Sequence, residues 1–282
     1  MKQAFGIGLR KEHFPDFFPS PIEVKKYPAI NFLEIITENY FRSKGSPLEK
    51  LLKLREHYPI SCHGVSLSVA TLDELDFAYI ADLKQFYEMI DPILVSDHLC
   101  FTGLGHSNTH NLLPFIYNKE NLQLISNRIE RIQNFLKREM IFENLSMYLN
   151  FNESTFSEAQ FMAELHKHTG VKFLLDINNI VVNKKNFHLD PLSYISELPS
   201  NAVSELHLAG HSIIKTDQGS FAFDTHSTAI EKETWDLYRL AKNKYPRAFT
   251  LIERDENIPP LNELIDELLI AQSICQNSSE QN

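Results

Sequence analysis

The 282-residue chain has only three cysteines, Cys62, Cys100 and Cys275, and they lie far apart. No CxxC pair occurs, so neither a disulfide framework nor a cysteine-bound structural zinc is expected, and the pattern suits a reducing compartment. No stretch approaches 18 apolar residues, and the N-terminal MKQAFGIGLRKEHF has too short an apolar run for a signal peptide. The expectation is a cytoplasmic protein with no membrane association. Basic charge is scarce too: 27 Lys and Arg against 37 Asp and Glu leave a formal charge of −10. Nucleic-acid binders normally show a basic footprint, so nucleic acid is not an expected partner. Glycine-rich phosphate loops are missing as well. Gly6-Ile7-Gly8 lacks the third glycine and the helix opening of a dinucleotide fingerprint, and there is no Walker loop.

What the chain does have is a repeat. Short apolar, β-branched runs recur at Phe5–Leu9, Ile30–Thr37, Ile60–Val69, Ile93–Phe101, Met140–Phe142, Val171–Leu175, Glu205–Leu208 and Phe249–Ile252. Between them lie stretches of helical periodicity: Pro47–His57, Leu72–Ile90, Glu120–Lys137, Ser157–Thr169, Thr228–Lys244 and Pro260–Gln276. Glu120–Lys137 carries a clean stripe of Leu122, Ile125, Ile129, Ile132 and Leu136. Apolar strands separated by helices imply a parallel sheet covered on both faces. Eight such units predict one (β/α)8 TIM-type barrel over residues 1–275, with a polar, frayed tail at 276–282.

In a barrel of this type, chemistry sits at the carboxyl ends of the strands. Reading each run to its end gives Glu38, His63, His98, Glu143, Asp176, His207 and Glu253. Parity puts Glu34 on the same face as Glu38, and Ser96 on the same face as His98. The segment Ser204–His226 adds His211, Asp224 and His226. Taken singly, a His or Asp after an apolar run is more often a satisfied structural residue or a helix cap. Seven strands ending this way are harder to explain so blandly. Carboxylates buried around one mouth cost several kcal/mol per unpaired charge, and a shared cation is the cheapest compensation. The donors outnumber what one ion needs, which points to two or three bridged metals. Imidazole and carboxylate without thiolate suit iron, manganese or catalytic zinc.

Several motifs resemble one family. They are His63-Gly64-Val65-Ser66-Leu67-Ser68, Ser96-Asp97-His98-Leu99, Glu143-Asn144-Leu145-Ser146 and Leu174-Leu175-Asp176-Ile177-Asn178-Asn179. His207-Leu208-Ala209-Gly210-His211, Asp224-Thr225-His226 and Ile252-Glu253-Arg254-Asp255 complete the set. Together, from about Gly6 to Leu268, they resemble the multinuclear non-heme iron-dependent oxidases, which include the iron subunit of methanobactin biosynthesis. The resemblance implies two or three iron ions at a barrel mouth. It also implies oxidation by dioxygen of cysteine residues, or neighbouring positions, in a ribosomally made precursor peptide, with a small partner protein helping to present it. Carried over residue by residue, His63, His98 and Glu143 would hold one iron. Glu143, Asp176, His207 and Glu253 would hold a second, and Asp224 and His226 with Asn179 a third. Some relatives carry His at the position of Asn179. Glu38, Asn144, Asn178 and His211 are expected to orient ligands or touch substrate. The alternative is a TIM-barrel hydrolase or sugar isomerase using zinc or manganese.

Overall fold

The structure is a computed structural model that describes residues 3–20, 23–105, 107–217 and 219–279, with side chains through 276. Eight of its strands are β1 (Phe5–Gly8), β2 (Phe32–Ile36), β3 (Ile60–His63), β4 (Leu94–His98), β7 (Ile141–Glu143), β8 (Lys172–Asp176), β9 (Val203–Leu208) and β12 (Phe249–Ile252). They pair in parallel and close in the order β1-β12-β9-β8-β7-β4-β3-β2, the expected (β/α)8 barrel. Every barrel strand is almost wholly buried, because helices cover the outside while side chains fill the inside.

The helices form where the apolar stripes predict, with local chemistry setting their ends. In α4 (Lys119–Leu136) the stripe packs inward, and the Asn118 side chain caps the start by accepting from Asn121 N. Helix α5 (Glu158–Thr169) opens on a Ser157/Gln160 capping box and stops at Gly170, whose φ of 72° suits only glycine without strain. Helix α3 (Phe77–Ile90) starts at Phe77 rather than Leu72, because Asp76 accepts from Ala78 N and Tyr79 N and fixes the cap there. Helices α2 (Ser46–Arg55), α8 (Lys232–Lys244) and α9 (Leu261–Ser279) complete the expected set, with a one-turn helix α1 (Phe14–Phe17) after β1. The helical path of α9 continues beyond Cys275 to Ser279, and residues 280–282 lie outside the described residues. Among the described residues, no helix is long and apolar enough to cross a membrane.

Besides α1, four features were not expected. Helices α6 (Ile177–Phe187) and α7 (Pro191–Glu197) follow β8. Helix α6 escapes the periodic pattern because its first seven residues, Ile177 to Asn183, are all buried, polar and apolar alike. Two β-hairpins rise from the mouth: β5 (Phe101–Leu104) with β6 (Ser107–Leu113), and β10 (Ser212–Thr216) with β11 (Gly219–Phe223). The first begins where the fourth apolar run was expected to continue. That run leaves the sheet after His98, because the Asp97 carboxylate takes the amides of His98 and Leu67 (2.7 and 3.2 Å) and turns the chain. The third run likewise ends at His63 rather than Val69.

Candidate metal centre

Strand register brings the predicted donors together. His98 pairs beside Glu143, and Asp176 beside His207, so four donors from β4, β7, β8 and β9 face one another in neighbouring positions. His63 ends β3, and Glu253 follows β12 directly. Asp224 and His226 arrive from outside the barrel, on the segment that follows the β10–β11 hairpin. All but the partly exposed Asp224 are buried. His63, His98, Glu143, Asp224, His226 and Glu253 line a cavity of about 190 Å³ together with Val65, Leu112 and Leu145, while Asp176 and His207 lie behind its wall.

Around β3, β4 and β7 two neutral imidazoles face one buried carboxyl. His98 Nδ1 lies 3.1 Å from the Gly64 carbonyl oxygen, which can only accept, so Nδ1 carries the ring's hydrogen. Its Nε2 then presents a lone pair to Glu143 Oε2, 3.2 Å away. His63 is held similarly, Nδ1 on the Ser96 hydroxyl at 2.8 Å and Nε2 3.2 Å from the same Glu143 oxygen. Burial pulls His98 down to about 4 and His63 well below its usual value, so both rings are neutral. Burial pushes Glu143 well above the usual carboxylate range, and its Oε2 has no hydrogen-bond partner. Acceptor atoms meeting face to face need a proton or a cation between them.

On the opposite side the rings are surrounded by carboxylates. His207 Nδ1 lies 2.9 Å from Glu253 Oε2, while Nε2 lies 3.2 Å from Glu34 Oε1 without being aligned for a hydrogen bond. Burial opposes charge on His207, yet Glu34 and Glu253 outweigh it and raise the ring well above its ordinary value. His226 sits in left-handed backbone (φ 45°), with Nε2 2.8 Å from Asp224 and 3.6 Å from Asp176, and Nδ1 3.2 Å from Glu253. Its affinity for a proton is raised as well, against burial, first by Asp224. Arg10 reaches across to Glu253 (3.3 Å) and to Asp255, giving the carboxylates a cation from outside the cavity.

The amides hold this arrangement in place. Asp176 Oδ1 caps α6 by accepting from Asn179 N at 2.7 Å, so the capping role is real, but Oδ2 is left buried without a partner. Asn144 and Asp176 exchange bonds, Asp176 N to Asn144 Oδ1 (2.7 Å) and Asn144 Nδ2 to Asp176 O (3.1 Å), tying β7 to β8. Asn179 donates to Asn144 O, leaving its own Oδ1 unpartnered at the cavity wall. His211 donates toward Asn178, whose amide donates to Asp224 at 2.7 Å. Glu38 stands apart from the cavity, where it accepts from Val65 N and the Tyr79 hydroxyl and braces the loop after β3.

Three residues escaped the strand-end reading. Glu34 lies inside β2, and only its parity with Glu38 pointed inward. Asp97 points away from the cavity and shapes the loop. A Cβ on Gly64 would come within 2.3 Å of Asp97 Oδ2, so this close approach requires glycine. Glu205, two residues before His207 on β9, is fully buried with both oxygens unpartnered.

The donor set fits metal ions. Four trios of ligating atoms each lie within 4.8 Å of one another: His63, His98 and Glu143; Glu143, Asp176 and His207; Asp176, His226 and Glu253; Glu34, His207 and Glu253. Glu143, Asp176, His207 and Glu253 each belong to two trios, and Glu143, Asp176, Asn179 and His226 each leave a buried polar atom without a partner.

Known proteins resemble the chain along nearly its whole length. A UPF0276 protein of Caulobacter vibrioides is 39% identical over 271 residues, covering 96% of this chain and 93% of the relative. Among solved structures, an L-ribulose 3-epimerase shares the fold at a TM-score of 0.60 with 11% identity, covering 99% of this chain and 95% of the epimerase. Endonuclease IV from Thermus thermophilus does so at 0.55 with 13% identity, covering 99% and 100%. These distant likenesses establish the barrel alone. The model of the RiPP precursor modification enzymes MbnB/TglH/ChrH matches residues 4–276, and the chain belongs to that family.

Proposed function

We propose that the chain is a multinuclear iron-dependent oxidase that uses dioxygen to modify a cysteine residue of a ribosomally made precursor peptide. The carrying observation is that His63 Nε2 and His98 Nε2 both meet the same buried, unpartnered oxygen of Glu143, each at 3.2 Å. His63, His98 and Glu143 would hold one iron. Glu143, Asp176, His207 and Glu253 would hold a second, and Asp224, His226 and Asn179 a third. Iron supplies electron transfer to dioxygen and the Lewis acidity that turns a substrate thiol into a thiolate.

The protein's own residues do the rest. The Gly64 carbonyl fixes the tautomer of His98 so that its Nε2 is the free acceptor, and the Ser96 hydroxyl orients His63 with Nε2 toward Glu143. Asn144 and the start of α6 hold Asp176 with one oxygen occupied and the other facing inward. Arg10 sits where it can balance Glu253 and Asp255. Val65, Leu112 and Leu145 line the rim and would limit water. A small partner protein that presents the peptide fits the same reading.

Element analysis and Mössbauer spectra of anaerobically purified protein test it. The expected result is two or three irons per chain and oxygen uptake with a cysteine-containing peptide. Zinc or manganese in the native protein, with hydrolysis or isomerisation and no oxygen uptake, would replace this reading with the metal-dependent alternative.

A further inference from the structure

The two hairpins at the mouth treat their edges differently. A two-stranded ribbon has two outer edges whose main-chain groups need partners, and natural edges are usually blocked. Along β5, Ser68 takes Thr102 N, Thr71 donates to Gly103 O and Asp73 takes Gly105 N. On β6, Asn108 and Thr109 take the amides of His110 and Asn111. On β11, the Asn186 side chain bonds both main-chain groups of Ala222, at 2.8 and 2.9 Å.

That last contact defines the fourth edge. Ala222 turns both its groups outward, and it is paired with Ile213. The pair is therefore the non-hydrogen-bonded type, and Ile213 turns its N–H and C=O away from β11 as well. Lys215, two residues on and opposite Ser220, does the same. Neither has a main-chain partner among the described residues. The hairpin is fastened to the body through β11: Asn186 holds Ala222, and Tyr148 stacks on Phe223 at 5.2 Å and accepts from Asp224 N. Strand β10 faces outward, with Ile213 and Ile214 44% and 47% exposed on its two faces.

The geometry points to the outer edge of β10 as a docking strand for the substrate peptide, which adds as a third strand of the β10–β11 ribbon. This inference rests on the proposed peptide substrate and names where the peptide lies. Strand addition needs an extended chain with free main-chain donors and acceptors, which a flexible precursor peptide offers whatever its sequence. Position supports the same occupant. Strand β10 begins directly after His211 and β11 runs directly into Asp224, so one end of an added strand lies at the rim of the cavity. Antiparallel pairing, the slightly more stable arrangement, places the peptide's C-terminal end there. The cysteine to be modified would then follow the paired segment.

Amide hydrogen exchange on the iron-loaded full chain tests this. The probe is a synthetic peptide of alternating valine and threonine followed by glycine and one cysteine. A control peptide carries N-methyl groups on alternate amides and cannot pair. The expected result is slowed exchange at Ile213 and Lys215 with the probe and not with the control. Ile213→Pro should weaken probe binding about tenfold; it removes an outward N–H and no ladder bond, so the hairpin keeps its pairing. Unchanged exchange at both amides in saturating probe would overturn the assignment. So would slowing that grows with protein concentration in the absence of probe, which would give the edge to a second copy. Exchange reads docking rather than metal content or turnover. A protein without iron that still protects these amides would refute the oxidase reading alone.

Discussion

The part of the mouth built by β3, β4 and β7 and the part built by β9, β12 and the segment after β11 use the same side chains in opposite charge states. His63 and His98 are backed by a hydroxyl and a carbonyl and share one carboxylate, so both rings are neutral. His207 and His226 each lie among at least two carboxylates and bind protons tightly. Without metal, the second part neutralises itself through imidazolium–carboxylate pairs. The first has no such pairs: its rings stay neutral, and burial favours the protonated form of Glu143, so a proton stands where an ion would. Histidine and glutamate are therefore not equivalent ligands by identity; the neighbour on the far ring nitrogen decides whether a cation or a proton is wanted.

The strongest way to break this contrast is Glu143→Gln. Loss of the shared carboxylate should lower iron content by at least one ion per chain and weaken affinity at that position more than about 100-fold, beyond the usual effect of losing a residue that only supports a ligand. The metal-free variant should keep the stability of metal-free wild type to within about 1 kcal/mol, since the amide donates to a ring as the protonated carboxyl does. Element analysis and thermal melts separate loss of metal from loss of fold. Full iron content would remove Glu143 from the ligand set.

Proton release probes the other part. Ligands must shed protons to bind metal. Loading iron at pH 7 should release roughly one proton fewer in His226→Gln than in wild type. His98→Gln should leave its ring's share of the count unchanged, because that ring is already neutral. Indicator-dye titration of metal-free protein measures the difference, and equal counts in the two variants would erase the distinction between the parts.

How much of this could be read from the chain depended on where each residue falls. His63, His98, Glu143, Asp176, His207 and Glu253 were legible because each closes an apolar run, and barrel geometry turns strand ends into one place. Asp224 and His226 were legible by proximity, although the hairpin that delivers them was not. In the other hairpin, strand β6 reads SNTHNLL, mostly polar and with no alternation that marks a strand. Glu34 lies mid-strand, where a carboxylate reads as an exception to an apolar run rather than part of a site. The first seven residues of helix α6 are buried on every side, because α7, α8, β9 and β11 all pack on this helix, so polar and apolar positions do not separate into faces. Fold follows local periodicity, while these features follow from contacts between segments far apart in sequence.

Asp176 supplies a smaller, pH-dependent effect. Burial, only partly offset by His226, pushes its carboxyl up to about 7, against 3.8 for an ordinary aspartate. Between those values the folded, metal-free protein holds a proton that the unfolded chain has lost. Stability should therefore fall as pH rises from about 4 to 7, by up to ~1.4 kcal/mol per pH unit from this group, and level off above. Asp176→Asn should flatten that part of the profile in urea melts of metal-free protein. Iron-loaded wild type should not show the slope, since the ion replaces the proton. A slope unchanged by the substitution would assign it to other carboxyls.

Glu34 gives the finest test of what sets the two parts apart. Its Oε2 accepts from Ser61 at 2.9 Å and its Oε1 faces His207 Nε2, so a carboxylate stands behind this ring where Ser96 and the Gly64 carbonyl stand behind the others. A carboxylate behind a metal-bound imidazole raises its basicity and fixes its orientation. Glu34→Gln preserves shape and removes charge. Affinity for the ion at His207 should fall about tenfold, the low end for such partners, with the ion at His63 and His98 unaffected. Chelator competition followed by Mössbauer spectroscopy resolves the two positions. Equal loss from both would mean that Glu34 supports the barrel rather than the ring. Loss of that ion altogether would make Glu34 a ligand in its own right, as its place beside His207 and Glu253 allows.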